Sequence, residues 1–356
     1  MAAFSLADIW ARIARFPRIE LIQLPTPLRK LDALTAELGG PEIYIKRDDL
    51  TGLAFGGNKS RKLEFILADI IEKKADTVIT WGSLQSNWCL QTAAAAKKYG
   101  VDPILVLFKS YEIPAGFDGN MLLERILGAD IRIREARKGK VVTVSETIGL
   151  LEEIADQERK KGRRPYIVPV GGSMVAGDMT RPLGAVSYMN AFSEMLEQTA
   201  ALGFVPDAII HATGSGGTQG GLLLGAAALT ERCRVVGISV SDEKEIFSGW
   251  VREIAEAADK TMGLGLTIGR DDIIVFDDYM KDGYGVVNKD VAETIRLVFR
   301  LEGIVLDPVY TSKAMIGLLN LVGKGYFKKN KRVVFFHTGG TPALFPNRDT
   351  LLKYLK

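Results

Sequence analysis

Apolar positions along the chain fall into short continuous runs that alternate with longer stretches in which apolar residues recur three and four positions apart. The short runs include 77–80, 103–108, 208–212 and 333–336, and each is followed or preceded by a helical pattern. Continuously apolar strands that alternate with helices are typical of parallel sheets covered on both faces. The pattern therefore predicts an α/β fold with parallel sheets flanked by helices.

The alternation restarts once along the chain. One series of strands and helices ends at Gly171-Gly172-Ser173, and a helix at 183–202 opens the next. A chain of 356 residues is long enough for about two domains or lobes. We therefore predict a small α/β lobe at 52–173 and a larger lobe formed by 1–51 together with 174–356.

The charges, the lengths of the apolar runs and the spacing of the cysteines exclude several classes of function. The 46 Lys and Arg residues nearly balance the 43 Asp and Glu residues, the net charge is +3 and no long block of one sign occurs, so neither nucleic acid nor a membrane is an expected partner. The longest apolar run, 220–229, is too short to span a bilayer. Ser5 and Asp8 form a capping box in place of a secretory signal, so a cytoplasmic location is expected. Cys89 and Cys233 lie far apart and no cysteine or histidine pair has zinc-ligand spacing, so no metal site is expected.

Four segments that follow strands are rich in glycine and small hydroxyl residues. They are 55–60, 82–87, 213–218 and 338–341. In parallel α/β sheets ligands bind at the carboxyl ends of the strands, on the loops that follow them. The coincidence of the four segments predicts a ligand site at this edge.

The first of these segments contains a lysine in an unusual setting. Gly56-Gly57-Asn58 precedes Lys59, and a helical pattern begins there. The positive end of a helix disfavours an ammonium group, so the pKa of the Lys59 amine is expected to fall. A lysine with a lowered pKa is a nucleophile for carbonyl groups. The alternative is an ordinary surface lysine.

The segment Thr213-Gly214-Ser215-Gly216-Gly217-Thr218 follows an apolar strand and opens an apolar helix. Glycines let backbone N–H groups converge on an anion, and the helix N-terminus adds positive potential. The segment lacks the Gly-Lys-Ser/Thr ending of a nucleotide-binding P-loop and matches a dinucleotide fingerprint only loosely. A single phosphate monoester is the ligand that fits best, and a tight strand–helix turn without a ligand is the alternative.

A nucleophilic lysine and a monophosphate site on a parallel α/β frame suggest pyridoxal 5'-phosphate as cofactor. At these residues the chain resembles the fold-type-II, pyridoxal-phosphate-dependent family that contains 1-aminocyclopropane-1-carboxylate (ACC) deaminase, D-cysteine desulfhydrase and L-cysteate sulfo-lyase. The motifs that carry the resemblance are spread over nearly the whole chain: Leu24-Pro25-Thr26-Pro27-Leu28, Ile45-Lys46-Arg47-Asp48-Asp49, Gly56-Gly57-Asn58-Lys59, Gln85-Ser86-Asn87, Thr213 to Thr218, Glu302-Gly303-Ile304, Asp307-Pro308-Val309-Tyr310 and His337-Thr338-Gly339-Gly340.

The resemblance implies two lobes with the active site in the cleft between them, a homodimer, and Lys59 as the lysine that binds the cofactor covalently. Asn87 is expected beside the hydroxyl group of the cofactor ring and Thr338 at its ring nitrogen, where a neutral hydroxyl favours elimination chemistry. The full set of cofactor-binding residues that it implies is Asn58, Lys59, Asn87, Thr213, Gly214, Ser215, Gly216, Gly217, Thr218, Thr338 and Gly339.

The same resemblance implies that Lys59, Ser86, Tyr284 and Tyr310 are catalytic. The substrate is expected near Gln85, Ser86, Asn87 and Trp88. Trp88 stands where the family usually has His or Gln, so its indole either shapes the substrate pocket or turns into the core.

The resemblance favours α,β-elimination on a small amino acid with a β leaving group, as in D-cysteine desulfhydrase or L-cysteate sulfo-lyase, with pyruvate and ammonia as products. Thr311 and Thr338 look like this branch, because ACC deaminase has an acidic residue after the second tyrosine. Arg181 is a candidate partner for an anionic substrate group, or else a solvated loop residue. ACC deamination to 2-oxobutyrate is the alternative reaction, and a noncatalytic protein that binds a phosphorylated metabolite is the alternative from another class.

Overall fold

Ten strands and twelve α-helices make up the described part of the computed structural model, which covers residues 2–110, 117–137, 141–280 and 282–355. The strands are β1 (Leu28–Lys30), β2 (Glu42–Lys46), β3 (Thr77–Ser83), β4 (Asp102–Lys109), β5 (Asp130–Glu135), β6 (Pro165–Ile167), β7 (Ala208–Thr213), β8 (Arg234–Ser239), β9 (Ile274–Phe276) and β10 (Arg332–Phe336). The helices are α1 (Leu6–Ile13), α2 (Asp32–Leu38), α3 (Asn58–Glu72), α4 (Asn87–Lys98), α5 (Gly119–Ile126), α6 (Val144–Lys160), α7 (Leu183–Ala201), α8 (Gly217–Leu229), α9 (Lys244–Met262), α10 (Lys289–Glu302), α11 (Thr311–Gly323) and α12 (Arg348–Tyr354).

The strands form two sheets. The larger sheet has the order β1-β2-β10-β7-β8-β9, and all of its neighbours are parallel except the β1–β2 pair. The smaller sheet has the order β5-β4-β3-β6 and is parallel throughout. The predicted α/β fold with two lobes and mostly parallel sheets is confirmed, and the lobe boundaries at 51/52 and 173/174 stay a prediction.

The last strand, β10, lies inside the larger sheet, between β2 and β7. Phe336 of β10 is in register with Lys46 of β2, so both ends of the chain build one sheet. All six residues of β7 are buried, as expected for a strand covered on both faces. In the part of the chain that the structure describes, no helix is long and apolar enough to cross a membrane.

Three element boundaries differ from the sequence pattern near the cavity described below. Strand β1 is absent from the sequence prediction, because Leu28–Lys30 is short and only half-buried. Gly82 and Ser83, predicted in a turn, extend β3 because they pair with Leu107 and Phe108 of β4. Helix α8 begins at Gly217 rather than at position 222, so the glycine-rich segment enters the helix itself.

Candidate active site

A cavity lies at the carboxyl ends of strands from both sheets. It encloses about 910 Å³, a volume that includes open solvent at its mouth. Elements of both sheets meet here, because the segments after β3, β7 and β10 and the start of α3 all contribute walls. The cavity brings together most of the residues implicated by sequence: Asn58, Lys59, Ser86, Asn87, Trp88, Thr213, Gly214, Ser215, Gly216, Thr218, Tyr284, Tyr310 and Thr338.

Lys59 is the second residue of α3, as the sequence predicted. Its side chain is partly open to the cavity yet lies deep in the protein, and this burial lowers the pKa of the amine to about 8. Within the described ranges no carboxylate forms an ion pair with it. The lowered pKa gives the amine a much larger neutral fraction at neutral pH than an ordinary lysine has, and the neutral amine is the nucleophilic form.

Gly57 holds the turn that delivers Lys59. Its φ of +131° is outside the range that side chains favour, and a Cβ at this position would lie 2.9 Å from the carbonyl oxygen of Thr338 and 2.8 Å from Gln91 Nε2. The next backbone N–H, of Asn58, donates to that same Thr338 oxygen at 3.1 Å. Glycine is therefore required for the Lys59 turn to contact the turn after β10.

The segment between β7 and α8 has the geometry of an anion site. Gly216 has φ +80° and caps α8, whose first N–H groups have no partner within the helix. Thr218 Oγ1 accepts a hydrogen bond from Asn58 Nδ2 at 3.0 Å, which links this segment to the Lys59 turn. The hydroxyl of Thr213 is buried and lacks a hydrogen-bond partner among the residues that the structure describes. Gly217 is the first residue of α8, and Gly339 follows Thr338. Both are also predicted to bind the cofactor, but neither is part of the cavity wall.

Lys62 is a second buried lysine, which sequence reasoning missed. Its ammonium donates to the carbonyl of Gly171 at 2.9 Å and to Ser173 Oγ at 3.4 Å. Ser173 Oγ in turn lies 2.9 Å from Ser215 Oγ, in the anion segment. Burial, and then the charge of Lys59, hold the pKa of Lys62 well below its ordinary value. The signal in the sequence was its spacing, because residues three apart on a helix share a face.

These observations fit the phosphate group of pyridoxal phosphate. An unpartnered buried hydroxyl, that of Thr213, and the N-terminus of α8 lie at the cavity wall, and the buried Lys62 is linked to this wall through Ser173 and Ser215. An anion bound there would satisfy each of them. Lys59 lies in the same cavity, so one ligand with a phosphate and an aldehyde can engage both.

The two tyrosines predicted to be catalytic are in contact. The hydroxyl groups of Tyr284 and Tyr310 hydrogen-bond to each other, and Tyr284 Oη also lies 3.1 Å from Ser83 Oγ. Burial raises the pKa of Tyr284, whereas its hydroxyl partners act in the opposite direction. Asp307 Oδ2 accepts the backbone N–H of Tyr310 at 2.9 Å and fixes that residue. Burial therefore favours the protonated form of Tyr284, and the two paired hydroxyl groups line the cavity.

Ser86 and Asn87 begin α4 at the edge of the cavity. Ser86 is the N-cap, and its Oγ accepts the N–H of Cys89 at 3.2 Å. The positive end of α4 therefore points at the cavity wall, where it favours a carboxylate. Asn87 Oδ1 accepts from Asn120 Nδ2 at 2.9 Å, which orients the Asn87 side chain from behind.

Two residues proposed to contact substrate lie in different surroundings. Gln85 is directed at α5, where its Nε2 donates to the carbonyl of Asp118 at 2.9 Å and its Oε1 accepts the N–H of Asn120 at 2.8 Å. It is buried and is not part of the cavity wall, so its place in substrate binding stays a prediction without geometric support. Trp88 is only 2% exposed, and its indole N–H donates to Thr80 Oγ1 at 2.7 Å while the ring lines the cavity.

Three polar residues near the site have partners inside the protein. Arg181 forms an ion pair with Asp69 at 2.7 Å and is not on the cavity wall, so the structure disagrees with the expectation that it meets a substrate anion. Thr311 is fully buried, and its hydroxyl donates to Asp307 Oδ1 at 2.7 Å. His337 Nε2 bonds to the carbonyl of Val305 at 2.9 Å and its Nδ1 accepts the N–H of Gly339 at 3.2 Å, so this imidazole fixes the turn that carries Thr338.

Comparison with known proteins assigns the family. The sequence profile of the family described as "Pyridoxal-phosphate dependent enzyme" matches residues 19–339. A protein of Pyrococcus furiosus named "Putative 1-aminocyclopropane-1-carboxylate deaminase" is 42% identical over 96% of this chain and 98% of its own length. The protein of the same name from Pyrococcus abyssi is 40% identical over 97% of this chain and 98% of its own length.

Solved structures agree. The crystal structure titled as an ACC deaminase homologue has a TM-score of 0.86 and 39% identity, covering 98% of this chain and 99% of that one. Diaminopropionate ammonia lyase of Escherichia coli, in its apo form, has a TM-score of 0.65 at 17% identity over 99% of this chain and 92% of that one, and it shows the shared fold. The predicted cofactor and the predicted enzyme class are thus confirmed, and the chain belongs to the family of pyridoxal-phosphate-dependent enzymes, in its lyase and deaminase group.

Proposed function

We propose that the protein catalyses α,β-elimination on a small amino acid with a β leaving group. The observation that carries this proposal is the Lys59 amine, with a pKa lowered to about 8, in one cavity with the Tyr284–Tyr310 hydroxyl pair. An amine that accepts a proton from Cα and a hydroxyl that delivers one to a leaving group are the two groups that an elimination needs.

Pyridoxal phosphate supplies the electron sink that stabilises negative charge at Cα. The N–H groups of Gly214 to Thr218, together with Lys62, are suited to its phosphate. Asn87 and Thr338 line the same cavity, which supports their predicted places at the ring hydroxyl and the ring nitrogen.

In the proposed reaction, Ser86 and the N-terminus of α4 hold the substrate carboxylate and so orient the Cα–H bond. Lys59 accepts the α-proton, the bond from Cβ to the leaving group breaks, and the Tyr284–Tyr310 pair passes a proton to the leaving group. The released enamine takes up water and yields pyruvate and ammonium. D-cysteine desulfhydrase-like and L-cysteate sulfo-lyase-like activities are both instances of this reaction.

Ring-opening deamination of ACC is the second candidate, because relatives at 40–42% identity are named putative ACC deaminases. Against it, Thr311 follows the second tyrosine, where the resemblance leads us to expect an acidic residue in ACC deaminase. The nearby carboxylate of Asp307 accepts the backbone N–H groups of Val309, Tyr310 and Thr311 and is not free to act. Product analysis separates the two reactions, because elimination on cysteine analogues gives pyruvate and ACC deamination gives 2-oxobutyrate.

Lys59→Ala is the central test. We expect it to abolish the visible absorption band of the holoenzyme and to reduce turnover roughly 10²–10⁴-fold, the contribution of a positioned proton-transfer group. Lys59→Arg, which keeps the charge and removes the nucleophilic amine, is the matched control and is expected to fail equally. A wild-type spectrum in either variant contradicts the assignment of Lys59.

The pH dependence of cofactor capture tests the lysine further. Because only the neutral amine attacks an aldehyde, the rate at which the apoprotein gains its visible band should rise with pH through a midpoint of about 8. A midpoint near that of a solvent-exposed lysine would contradict the buried setting. A protein that binds the cofactor yet turns over neither the cysteine analogues nor ACC would favour the noncatalytic alternative.

The predictions of a homodimer and of a cytoplasmic location remain part of this proposal. The homodimer is what the family resemblance implies. Light scattering of the purified protein would measure the subunit number.

A further inference from the structure

Part of the cavity lining is made of hydrocarbon. It consists of Trp81, Trp88, Phe108, Val141, Val142 and Val170, which we call the apolar wall. A substrate whose amino and carboxylate groups engage Lys59 and Ser86 must direct its remaining substituent at some part of the cavity lining.

Both indole rings of the apolar wall offer only C–H groups to a substrate, because each ring N–H is already hydrogen-bonded within the protein. The N–H of Trp88 donates to Thr80 Oγ1 at 2.7 Å, and the N–H of Trp81 donates to the carbonyl of Val142 at 3.2 Å. An indole has a single donor, so neither ring has a polar group left for a substrate. The wall therefore offers dispersion contacts and excludes water, and it offers no hydrogen bonds from its rings.

The apolar wall is an extension of the core of the smaller sheet. Trp81 of β3 and Phe108 of β4 belong to the same buried cluster as Ile79 and Val106, with Val142 packed against it. Trp81 is 1% exposed and Phe108 is 9% exposed, so their rings are held by close packing. A wall that is part of the core keeps its shape when a substrate binds.

The charges around the cavity agree with an uncharged substituent. Among the described lining residues Lys59 is the one charged side chain, and the proposed reaction uses it at Cα. Arg181, the cation that the sequence suggested for a substrate anion, is paired with Asp69 at 2.7 Å. A sulfonate or carboxylate placed against the apolar wall would lose its hydration without gaining a cation.

We infer that the preferred substrates carry a neutral, apolar group on the β-substituent, such as the S-alkyl group of a thioether amino acid. This inference rests on the proposed function. The elimination then releases an alkanethiol, and RS–CH₂–CH(NH₃⁺)–COO⁻ with one water gives RSH, pyruvate and ammonium.

A substrate series tests the inference. We expect kcat/KM to rise roughly fourfold per methylene group from cysteine through S-methyl- to S-ethylcysteine, in whichever enantiomeric series is accepted, because each buried CH₂ favours transfer from water. S-carboxymethylcysteine and cysteate should be poorer than S-ethylcysteine by at least tenfold. Equal rates along the alkyl series, or a preference for the anionic members, would overturn the inference.

Binding of unreactive amino acids separates this inference from the proposed function. Norvaline and norleucine lack a leaving group, and we expect them to quench the tryptophan fluorescence of the holoenzyme and to bind more tightly than aspartate. If cysteine is turned over but alkyl groups do not raise kcat/KM, only the inference about the apolar wall is refuted. Tight binding of norleucine without turnover of any substrate refutes only the lyase proposal.

Val142→Thr places a hydroxyl in the apolar wall at almost unchanged volume. We expect it to reduce the advantage of S-ethylcysteine over cysteine at least threefold, measured as the ratio of the two kcat/KM values. Val205→Thr, at a position that is 48% exposed, is the matched control and should change neither. An unchanged ratio in Val142→Thr would remove that residue from the substrate contact.

Discussion

Helix α3 carries buried cations in two contrasting environments. Arg61 lies on one side, where its guanidinium contacts Asp48 at 2.8 Å and Glu194 at 2.9 Å. Lys62, the next residue, lies on the other side and bonds only to a backbone carbonyl and a serine hydroxyl. The Arg61 side has its opposite charges within the protein, whereas among the residues that the structure describes no carboxylate pairs with Lys62.

The Arg61 cluster is balanced. It contains two cations, Arg61 and Lys46, and two carboxylates, Asp48 and Glu194, with the hydroxyl of Tyr188 donating to Asp48 Oδ2 at 2.6 Å. A buried group in which each charge has an opposite partner holds the surrounding elements together and needs no charged ligand. An incomplete one marks the place of a charged ligand.

Removing Arg61 should have the largest effect. Arg61→Met leaves Asp48 and Glu194 buried with too little positive charge, and we expect a loss of about 3–5 kcal/mol in the free energy of unfolding. Urea unfolding of the apoprotein measures it. Lys62→Met, which removes the neighbouring basic side chain, is the matched control and should stabilise the apoprotein or leave it unchanged. An equal loss in the free energy of unfolding of both variants would contradict the contrast between the two sides of α3.

The pH dependence of Glu194 is the next largest effect. Burial alone would raise the pKa of Glu194, but Arg61 and Lys46 beside it lower the pKa to about 2. A depressed folded-state pKa contributes stability that is present above the unfolded value near 4.5 and is lost as pH falls through about 2, on the order of 2–3 kcal/mol. Unfolding of wild type and Glu194→Gln between pH 5 and 2 measures this, and equal slopes would contradict it.

Lys62→Met should weaken cofactor binding. A bound phosphate favours the charged form of Lys62, which is linked to the anion segment through Ser173 and Ser215. A charge-assisted hydrogen bond contributes about 1.5–3 kcal/mol, so the dissociation constant for pyridoxal phosphate should rise by up to roughly 10–150-fold. Titration of the apoprotein followed by absorbance measures it, with the exposed Lys98→Met as control. An unchanged constant would mean that the phosphate does not use Lys62.

The smallest effect concerns Glu124 on α5, a buried carboxyl whose two oxygens have no hydrogen-bond partner in the described part of the chain. Burial raises its pKa well above the ordinary value, the opposite of Glu194. Its folded state keeps a proton that the unfolded chain releases above about pH 4.5, so wild type should lose stability as pH rises. Glu124→Gln should show a smaller fall in Tm between pH 5 and 8, and parallel curves would contradict this.

The contiguous parts of the site could be predicted from the sequence. Lys59 after two glycines and the anion segment after β7 are each encoded in a few neighbouring residues, so local chemistry sufficed. The α/β alternation likewise predicted the two sheets, because strands covered on both faces have continuous apolar runs.

The parts that depend on tertiary packing could not be predicted. Lys62 is one of 46 basic residues until the chain folds and brings Ser173 and Ser215 beside it. Arg181 was a candidate for a substrate anion because Asp69, more than a hundred positions earlier, cannot be assigned to it from sequence. Trp81 was expected in the core, and only the geometry of the sheet end shows that its ring also faces the cavity.

The insertion of β10 between β2 and β7 has a consequence for biosynthesis. Lys46 and its neighbour Phe336 are separated by roughly 290 residues, which a ribosome adds in about 15–60 s. Throughout that time β2 lacks its neighbour β10, β7 once made lacks the same strand, and Thr338, which supports the Lys59 turn, has not been synthesised. A nascent chain that ends before Thr338 therefore has the reactive lysine without its support, and the cofactor site is completed only after the turn that follows β10 has been added.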